Sequence, residues 1–210
     1  MLIRCSSLSK IMTKAKSGDG LSETAKSHIK ECVLADLYGF RDFTGNKYTQ
    51  KGIELEGLAI ETISELLDTF YLKHEGRLNN DWITGECDIL TPAAIHDVKC
   101  SWSIGTHPFF DGEAEEAVKK AGYDWQMRGY MMLYDRPVAY IDYVLLPTPP
   151  DLVKFGDDPY MLIDCVEQVP LKHRVKTVTI ERDLALEELI KTKVSLAQQY
   201  ARDLIKQLSN

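Results

Sequence analysis

A pair of adjacent strand patterns constrains the fold of this 210-residue chain more than any other feature. Trp82–Leu90 and Ile95–Cys100 are both rich in apolar, aromatic and β-branched side chains, which favour β-strands. They are separated by Thr91–Ala94, a four-residue connection that contains a proline and is typical of a hairpin turn. We therefore expect an antiparallel strand pair whose register is fixed by this turn.

The predicted register brings two carboxylates together. Asp88 lies opposite Asp97, and directly opposed residues have Cβ atoms about 4.5–5.5 Å apart on one face. Two negative charges at that distance are destabilising unless one is protonated or a cation lies between them. Strand alternation places Lys99 on the same face and turns Val98 away. Such an oxygen-rich pocket suits Mg²⁺ or Mn²⁺, although an exposed hairpin with a cross-strand Asp–Lys pair is the alternative.

A third carboxylate lies on the apolar side of a predicted helix. From Gly52 to about Phe70, apolar residues recur at helical spacing, and most acidic residues fall on the opposite side. Glu56 falls among the apolar residues instead, where a carboxylate without a partner is costly. It is either a partly buried residue favoured by the helix dipole or part of a functional site.

Another predicted helix, from about Glu113 to Tyr134, carries an unusual polar pair. Gln126 and Tyr130 are four residues apart and therefore share one face. A glutamine in this aromatic and Met-rich helix needs buried hydrogen-bond partners. Gln126 is thus either a satisfied polar group of the core or a site residue.

The remaining patterns indicate a mixed α/β domain. Further helices are predicted at 8–12, 21–38 and 184–208, further strands at 138–146, 160–166 and 175–180, and a loop at 39–48. This order has no βαβ regularity, which argues against a doubly wound sheet. The length favours a single domain over residues 1–210.

Charge and composition exclude several classes of protein. With 25 basic and 32 acidic residues, the net charge of −7 argues against a protein that binds nucleic acid through bulk charge. The first 30 residues nevertheless carry six basic and two acidic side chains. The sequence contains no Cys-x-x-Cys pair, which argues against a zinc ribbon. No uncharged stretch reaches the roughly 20 residues that a membrane-spanning helix needs. With no apolar signal-peptide segment at the start, a cytoplasmic location is expected.

Four motifs in sequence order resemble those of a known nuclease superfamily. They are Gly52-x-x-x-Glu56, Gly85-x-x-Asp88, Asp97-Val98-Lys99 and Gln126-x-x-x-Tyr130. The superfamily is PD-(D/E)XK, and the closest likeness is to its RecB-type and YqaJ/lambda-exonuclease branch of phage nucleases. The resemblance implies a restriction-endonuclease-like core with a mixed central β-sheet flanked by α-helices. The core would span about 52–146, preceded by a helical, basic segment at 1–40 and followed by the helix at about 184–208.

The resemblance also implies roles for individual residues. The catalytic set would be Glu56, Asp88, Asp97, Lys99, Gln126 and Tyr130. Asp88, Asp97 and the Val98 carbonyl would bind Mg²⁺ or Mn²⁺, and Glu56 would complete the site directly or through water. Lys99 would position and activate the attacking water. Gln126 and Tyr130 would orient that lysine and the nucleic-acid backbone.

Contacts with DNA outside the catalytic set are expected near the N-terminus and after the catalytic strand. The candidates are Arg4, Ser7, Lys10, Lys14 and Trp102. Lys10 and Lys14 are equally explained as solvated surface lysines, and Trp102 as a core residue. Lambda-type exonucleases hold a 5′-phosphate with an arginine upstream of an N-terminal serine motif. The start at Ser6 and Ser7 is compatible with that motif, and only Arg4 precedes it here. Some relatives carry an iron–sulfur cluster, but Cys165 is the one cysteine after Cys100, so no cluster is predicted.

The predicted function is Mg²⁺-dependent exonuclease activity on DNA ends, in phage-type recombination or DNA processing. A structure- or sequence-specific endonuclease is one alternative, and a catalytically silent module that binds DNA ends or a partner protein is another. The resemblance further implies duplex DNA ends as substrate, a single-strand annealing recombinase as partner and a homo-oligomeric form. The setting would be the cytoplasm of a bacterial or phage-infected cell, with no membrane partner.

Overall fold

Two mixed β-sheets organise the computed structural model, which describes residues 1–18, 20–39 and 45–209. The strands are β1 (Ile3–Arg4), β2 (Leu78–Asn79), β3 (Ile83–Gly85), β4 (Ile89–Leu90), β5 (Ala94–Ser101), β6 (Val138–Leu145) and β7 (Val175–Glu181). The helices are α1 (Leu8–Ile11), α2 (Glu23–Tyr38), α3 (Lys47–Leu66), α4 (Glu113–Ala121), α5 (Tyr123–Tyr134), α6 (Cys165–Glu167) and α7 (Leu184–Leu208). The smaller sheet has the order β1-β3-β2 and the larger β4-β5-β6-β7. The predicted α/β class is confirmed, with the strands in two sheets rather than one.

The hairpin has the predicted register but a much shorter first strand. Ile89 pairs with His96 and Leu90 with Ile95. The predicted strand over 82–90 is divided because β3 pairs with β1 and β2 in the smaller sheet, while β4 joins β5 in the larger one. Within the described residues, β5 therefore has a free edge from Asp97 onward on its β4 side. This edge is where the polar residues of the hairpin collect.

Helix α3 begins and ends earlier than the sequence pattern predicts. Asn46 Oδ1 accepts hydrogen bonds from the backbone N–H groups of Tyr48 and Thr49, both at 3.0 Å, which caps the helix well before Gly52. The predicted loop over 39–48 thus already includes the first helical residues, and 40–44 lie outside the described residues. Because α3 ends at Leu66, Phe70 is 83% exposed instead of packing on an apolar face.

Two further predicted elements differ from the structure. The helix predicted over 113–134 is divided at Gly122, whose φ of 72° and close approach to Ser9 leave no room for a side chain. The strand predicted over 160–166 is wrong. Pro159 already has helical angles, and a π-helical turn at Tyr160–Asp164 runs directly into α6.

The larger sheet is covered on both faces. On one face, Ile95 and Ile141 join a core cluster with Met127 of α5. On the other, Val98 and Val144 pack in a cluster with Ile63 of α3. Helix α7, at its predicted position, packs mainly on α2. No helix among the described residues is long and apolar enough to cross a membrane.

Candidate active site

A cleft of about 610 Å³ lies beside the free edge of β5. It brings together most of the residues that the sequence motifs single out: Glu56, Asp88, Asp97, Val98, Lys99, Trp102, Gln126 and Tyr130. These residues come from α3, the β4–β5 hairpin, the loop after β5 and α5. Residues that are up to 95 positions apart in sequence, from Tyr48 to Tyr143, therefore share one concave surface.

Asp97 is the most constrained side chain of the cleft. It is 2% exposed, and its Oδ2 lies 2.5 Å from Lys99 Nζ. Gln126 Nε2 donates to Asp97 Oδ1 at 2.9 Å and to the Tyr130 hydroxyl oxygen at 3.0 Å. Helix α5 therefore fixes the orientation of a carboxylate on β5, and the buried glutamine has the hydrogen-bond partners that it needs.

Asp88 occupies the free edge of β5 in place of a longer β4. Its Oδ2 accepts a hydrogen bond from the Val98 backbone N–H at 2.6 Å, and its own N–H donates to the His96 carbonyl at 3.2 Å. Because the N–H and C=O of one strand residue point to the same side, the Val98 carbonyl also faces this edge. Burial, followed by the charge of Asp97, raises the pKa of Asp88 to about 8.

Lys99 is the cation of the site. Burial alone would lower its pKa, but the neighbouring Asp97 carboxylate more than offsets burial and raises the pKa above its ordinary value. The ammonium also lies 4.5 Å from the centre of the Tyr123 ring. Lys99 is therefore held in its charged form, as a fixed positive charge rather than as a proton acceptor.

Glu56 lines the cleft but is paired with a different residue. Its Oε2 lies 2.8 Å from Lys73 Nζ, and its side chain is 23% exposed. Within the described residues, no three His, Cys, Asp or Glu side chains form a metal-binding set. Glu56 is paired with Lys73 in this arrangement, and its predicted role as a metal ligand stays a prediction.

The remaining donor set is compatible with a hard divalent cation. Asp88 and Asp97 supply carboxylate oxygens, and the Val98 carbonyl faces the same edge. Mg²⁺ typically uses one or two protein carboxylates, with water and substrate phosphate oxygens as its other ligands. Burial and the adjacent charge of Asp97 both disfavour the ionised form of Asp88, and a bound cation would offset them. The residues therefore fit Mg²⁺ or Mn²⁺.

The predicted DNA contacts are only partly brought to this cleft. Trp102 lines it, directly after β5. Arg4, Lys10 and Lys14 are exposed and Ser7 is half-buried, but none of these four residues lines the cleft. Their predicted contacts with phosphates stay predictions.

The sequence interpretation missed a lysine that supports the cleft from behind. Lys51 is fully buried, and its Nζ donates to the carbonyls of Ser101 (2.8 Å), Trp102 (3.0 Å) and Leu146 (2.7 Å). A fourth bond, at 3.0 Å, reaches the Thr148 hydroxyl. The helical wheel gives no signal for it, because Lys51 falls closer to the acidic side of α3 than to the apolar side that contains Glu56.

Comparisons with known proteins find exonucleases of similar structure. A crystal structure of a phage-related exonuclease from Haemophilus somnus 129PT is 48% identical in sequence, with a TM-score of 0.96 over 99% of this chain and 96% of that chain. An alkaline exonuclease (LHK-Exo) from Laribacter hongkongensis shares the fold, at 19% identity and a TM-score of 0.65 over 99% of this chain and 91% of that chain. The LHK-Exo complex with dAMP matches at 21% identity and a TM-score of 0.64, with the same coverage.

No protein-family model and no curated protein sequence matches the chain. The Haemophilus relative, however, is nearly half identical over almost the full length of both chains. Together with the order of the motifs and the carboxylate–lysine cleft, this identity shows that the chain belongs to the phage-exonuclease family, in the lambda-exonuclease-like (YqaJ-type) branch of the PD-(D/E)XK superfamily.

Proposed function

We propose that this protein is a Mg²⁺- or Mn²⁺-dependent exonuclease that hydrolyses phosphodiester bonds from DNA ends. The observation that carries the proposal is the buried Asp97 carboxylate, held between Lys99 and Gln126 and adjacent to Asp88. A binding module has no need of a buried carboxylate beside a second carboxylate whose pKa is raised. Membership of the exonuclease family supports the same conclusion.

The two aspartates and the Val98 carbonyl would hold the cation. A bound divalent ion would lower the pKa of a water ligand and stabilise the additional negative charge on the reacting phosphate. Asp88 must be ionised to bind a cation, so its affinity for the cation increases as the pH rises toward 8. The Val98 N–H holds Asp88 Oδ2 in position for this role.

The other polar residues of the cleft orient the carboxylates and balance their charge. Lys99 places a fixed positive charge beside the carboxylates, where it would stabilise the attacking hydroxide and the scissile phosphate. Gln126 prevents Asp97 from rotating, and the Tyr130 hydroxyl holds Gln126. Because the pKa of Lys99 is raised, we assign it an electrostatic role and not that of a general base.

Cleavage of end-labelled linear duplex with Mg²⁺ tests the proposal, with Asp97→Ala and Lys99→Ala as the variants. Both should lose cleavage, as should the wild-type protein in excess chelator. Covalently closed circular DNA separates an exonuclease from an endonuclease, since only the latter cuts it. Cleavage by both variants at the wild-type rate would reject the assignment.

The family resemblance, rather than any contact of the described residues, extends the proposal to the biological setting. It supports a role in phage-type recombination, a single-strand annealing recombinase as partner, a homo-oligomeric form and a cytoplasmic location. Comparing 5′-phosphorylated with 5′-hydroxyl duplexes would establish which ends the enzyme accepts. Size-exclusion chromatography with light scattering would measure its oligomeric state.

A further inference from the structure

A tyrosine hydroxyl on the strand next to Lys99 has no hydrogen-bond partner. Tyr143 lies on β6 and is paired in register with Lys99 of β5, so the two side chains lie side by side on one face of the sheet. Both line the cleft. Tyr143 is 8% exposed, and among the described residues no group forms a hydrogen bond with its hydroxyl oxygen. Such buried, unpaired hydroxyls are rare in folded proteins, so this one needs an explanation.

The surroundings of this hydroxyl make it an acceptor for an ammonium group. Burial, followed by the charge of Tyr123, raises the pKa of Tyr143 to about 12, whereas the charge of Lys99 opposes the rise. Tyr143 therefore stays protonated at neutral pH, and its oxygen keeps lone pairs that can accept a hydrogen bond. Lys99 carries three N–H donors on the adjoining strand, and its charge already acts on the Tyr143 hydroxyl.

The carboxylate oxygen that Lys99 contacts is one that a cation would also need. Gln126 Nε2 binds Asp97 Oδ1, so Oδ2 is the oxygen left for a cation, and Oδ2 lies 2.5 Å from Lys99 Nζ. Two positive charges that share one carboxylate oxygen repel each other. The ammonium of Lys99 therefore needs a second acceptor when the site is loaded. The unpaired hydroxyl of Tyr143 is such an acceptor.

We propose that Tyr143 is a positioning residue for Lys99, whose ammonium donates a hydrogen bond to the Tyr143 hydroxyl when a cation is bound at Asp97. This inference rests on the proposed function and adds to it a residue outside the four sequence motifs. The arrangement leaves Asp97 Oδ2 to the cation and keeps the charge of Lys99 beside the scissile phosphate. Tyr143 acts through Lys99 and needs to contact neither the substrate nor the cation.

Packing alone does not account for the hydroxyl. The Tyr143 ring belongs to the apolar core, where a phenylalanine would fill the same space without leaving a buried oxygen unpaired. Tyr140 of the same strand provides a comparison. It is three residues away and therefore points to the opposite face, where its ring centroid lies 4.7 Å from that of His96, and it does not line the cleft.

Calorimetric titration of the full chain with Mn²⁺, in the absence of DNA, tests the proposal. Tyr143→Phe should weaken Mn²⁺ binding about fivefold, the value of one hydrogen bond, because Lys99 then has no second acceptor and stays on Asp97 Oδ2. Lys99→Met removes the competing ammonium. In that background, adding Tyr143→Phe should leave the Mn²⁺ affinity within about twofold. Tyr140→Phe is the matched control and should bind Mn²⁺ as the wild type does.

Cleavage and stability complete the test of Tyr143→Phe. At saturating Mn²⁺, kcat on linear duplex should fall about tenfold with KM unchanged, because Lys99 is displaced while the contacts with DNA remain. The Tm in EDTA should equal or exceed that of the wild type, since an unpaired oxygen is removed.

Three results would overturn the positioning role of Tyr143. They are wild-type Mn²⁺ affinity or wild-type kcat in Tyr143→Phe, an equal loss of Mn²⁺ affinity with and without Lys99, and a lower Tm in EDTA, which would indicate a structural role. The Mn²⁺ titrations contain no DNA, and cleavage by the wild type is measured separately. Failure of this inference is therefore distinguishable from failure of the nuclease proposal.

Discussion

At the scale of single residues, the site depends on two aspartates whose surroundings disfavour the ionised form of the side chain. Asp97 is almost fully buried, and the pKa of Asp88 is raised by burial and by Asp97. Folding tolerates this arrangement because Lys99, Gln126 and the Val98 N–H each bind one of the carboxylate oxygens. Such local instability is common at functional sites, where stability is exchanged for activity.

Because ionised Asp88 destabilises the metal-free fold, we predict that Asp88→Asn stabilises the metal-free protein. The folded-state pKa of about 8 exceeds the ordinary 3.8, so the folded protein binds the extra proton more tightly than the unfolded chain. The contribution of Asp88 to stability is therefore present at low pH and is lost as the pH rises toward 8. Thermal unfolding in EDTA should show a higher Tm for Asp88→Asn at pH 8 and little difference at pH 4, and cleavage should be lost. A lower Tm at pH 8 would contradict the account.

Much of the site could be predicted from residues and their spacing alone. The hairpin turn sets Asp88 against Asp97, strand alternation adds Lys99, and the period of a helix groups Gln126 with Tyr130. The partner of Glu56 could not be predicted, because Lys73 lies in an irregular segment with no sequence period. Tyr48, which lines the cleft, falls within the predicted loop over 39–48, because the sequence pattern does not reveal Asn46 as the cap of α3.

At the scale of elements, the buried ammonium of Lys51 links β5, which carries Asp97 and Lys99, to its neighbours. Lys51 of α3 binds carbonyls at the end of β5 and just beyond β6, so it holds three elements together. Burial lowers the pKa of Lys51 to about 8, while its four oxygen acceptors favour the charged form. The loop that carries Trp102 depends on these bonds.

Lys51→Met should therefore destabilise the fold. It keeps most of the side-chain volume but leaves buried carbonyls without donors, which we expect to cost about 3 kcal/mol of unfolding free energy. Urea unfolding measures this change. Lys120→Met, at an exposed position of α4, is the matched control and should change the unfolding free energy by less than about 0.5 kcal/mol. A Lys51→Met protein as stable as the wild type would show that these bonds contribute nothing.

The loop after β5 should also make the fold sensitive to acid. His107 is buried and hydrogen-bonded through Nδ1 to the Ser101 hydroxyl at 3.0 Å, and burial lowers its pKa from 6.5 to about 4. Below pH 6.5 the unfolded chain binds a proton that the folded protein does not, so stability falls as the pH drops toward 4. The loss reaches about 3 kcal/mol.

His107→Gln should reduce this loss of stability in acid. Urea midpoints at pH 7 and pH 4 measure the effect, because glutamine takes up no proton. His173→Gln, at an exposed histidine, is the control and should leave the difference between the two pH values at its wild-type size. If His107→Gln is as acid-sensitive as the wild type, His107 does not determine the response.

Elements were predictable where a single period governs them, as in α2, α7 and the hairpin. The break at Gly122 depends on the approach of Ser9, a contact that no local pattern encodes. Residues 160–166 are helical although their apolar and β-branched composition favours a strand. In so short a segment, tertiary contacts outweigh the β-strand propensity of the residues. The two-residue strands β1 and β2 are too short to carry any periodic signal.

At the scale of the whole molecule, the net charge of −7 describes the surface and not the site. Asp88 and Asp97 contribute negative charge to the total, but a bound cation would reverse their effect on a phosphate. The exposed lysines near the N-terminus do not line the cleft, so affinity for DNA should come mainly from the cleft itself. We therefore expect weak binding to intact duplex away from its ends.

Cation binding should stabilise the whole fold through the two aspartates. A ligand that binds only the folded protein raises its Tm in proportion to the logarithm of ligand concentration once binding is saturated. Mn²⁺ should raise the Tm of the wild type, and EDTA should reverse the effect. Asp88→Asn should show no such shift, while Asp81→Asn, which does not line the cleft, should respond as the wild type does. An equal shift in Asp88→Asn would place the cation elsewhere.

The most direct test of the central claim is digestion of linear and covalently closed circular duplex DNA by the wild type and Asp97→Asn. With Mg²⁺, the wild type should degrade the linear DNA and leave the closed circle intact, and chelator should stop digestion. Asp97→Asn keeps the shape of the side chain and an oxygen for Gln126 Nε2, so it should keep the fold, but it leaves Lys99 without its counter-ion and should not cut. Digestion of linear DNA by Asp97→Asn at the wild-type rate would contradict the claim that this cleft is the active site.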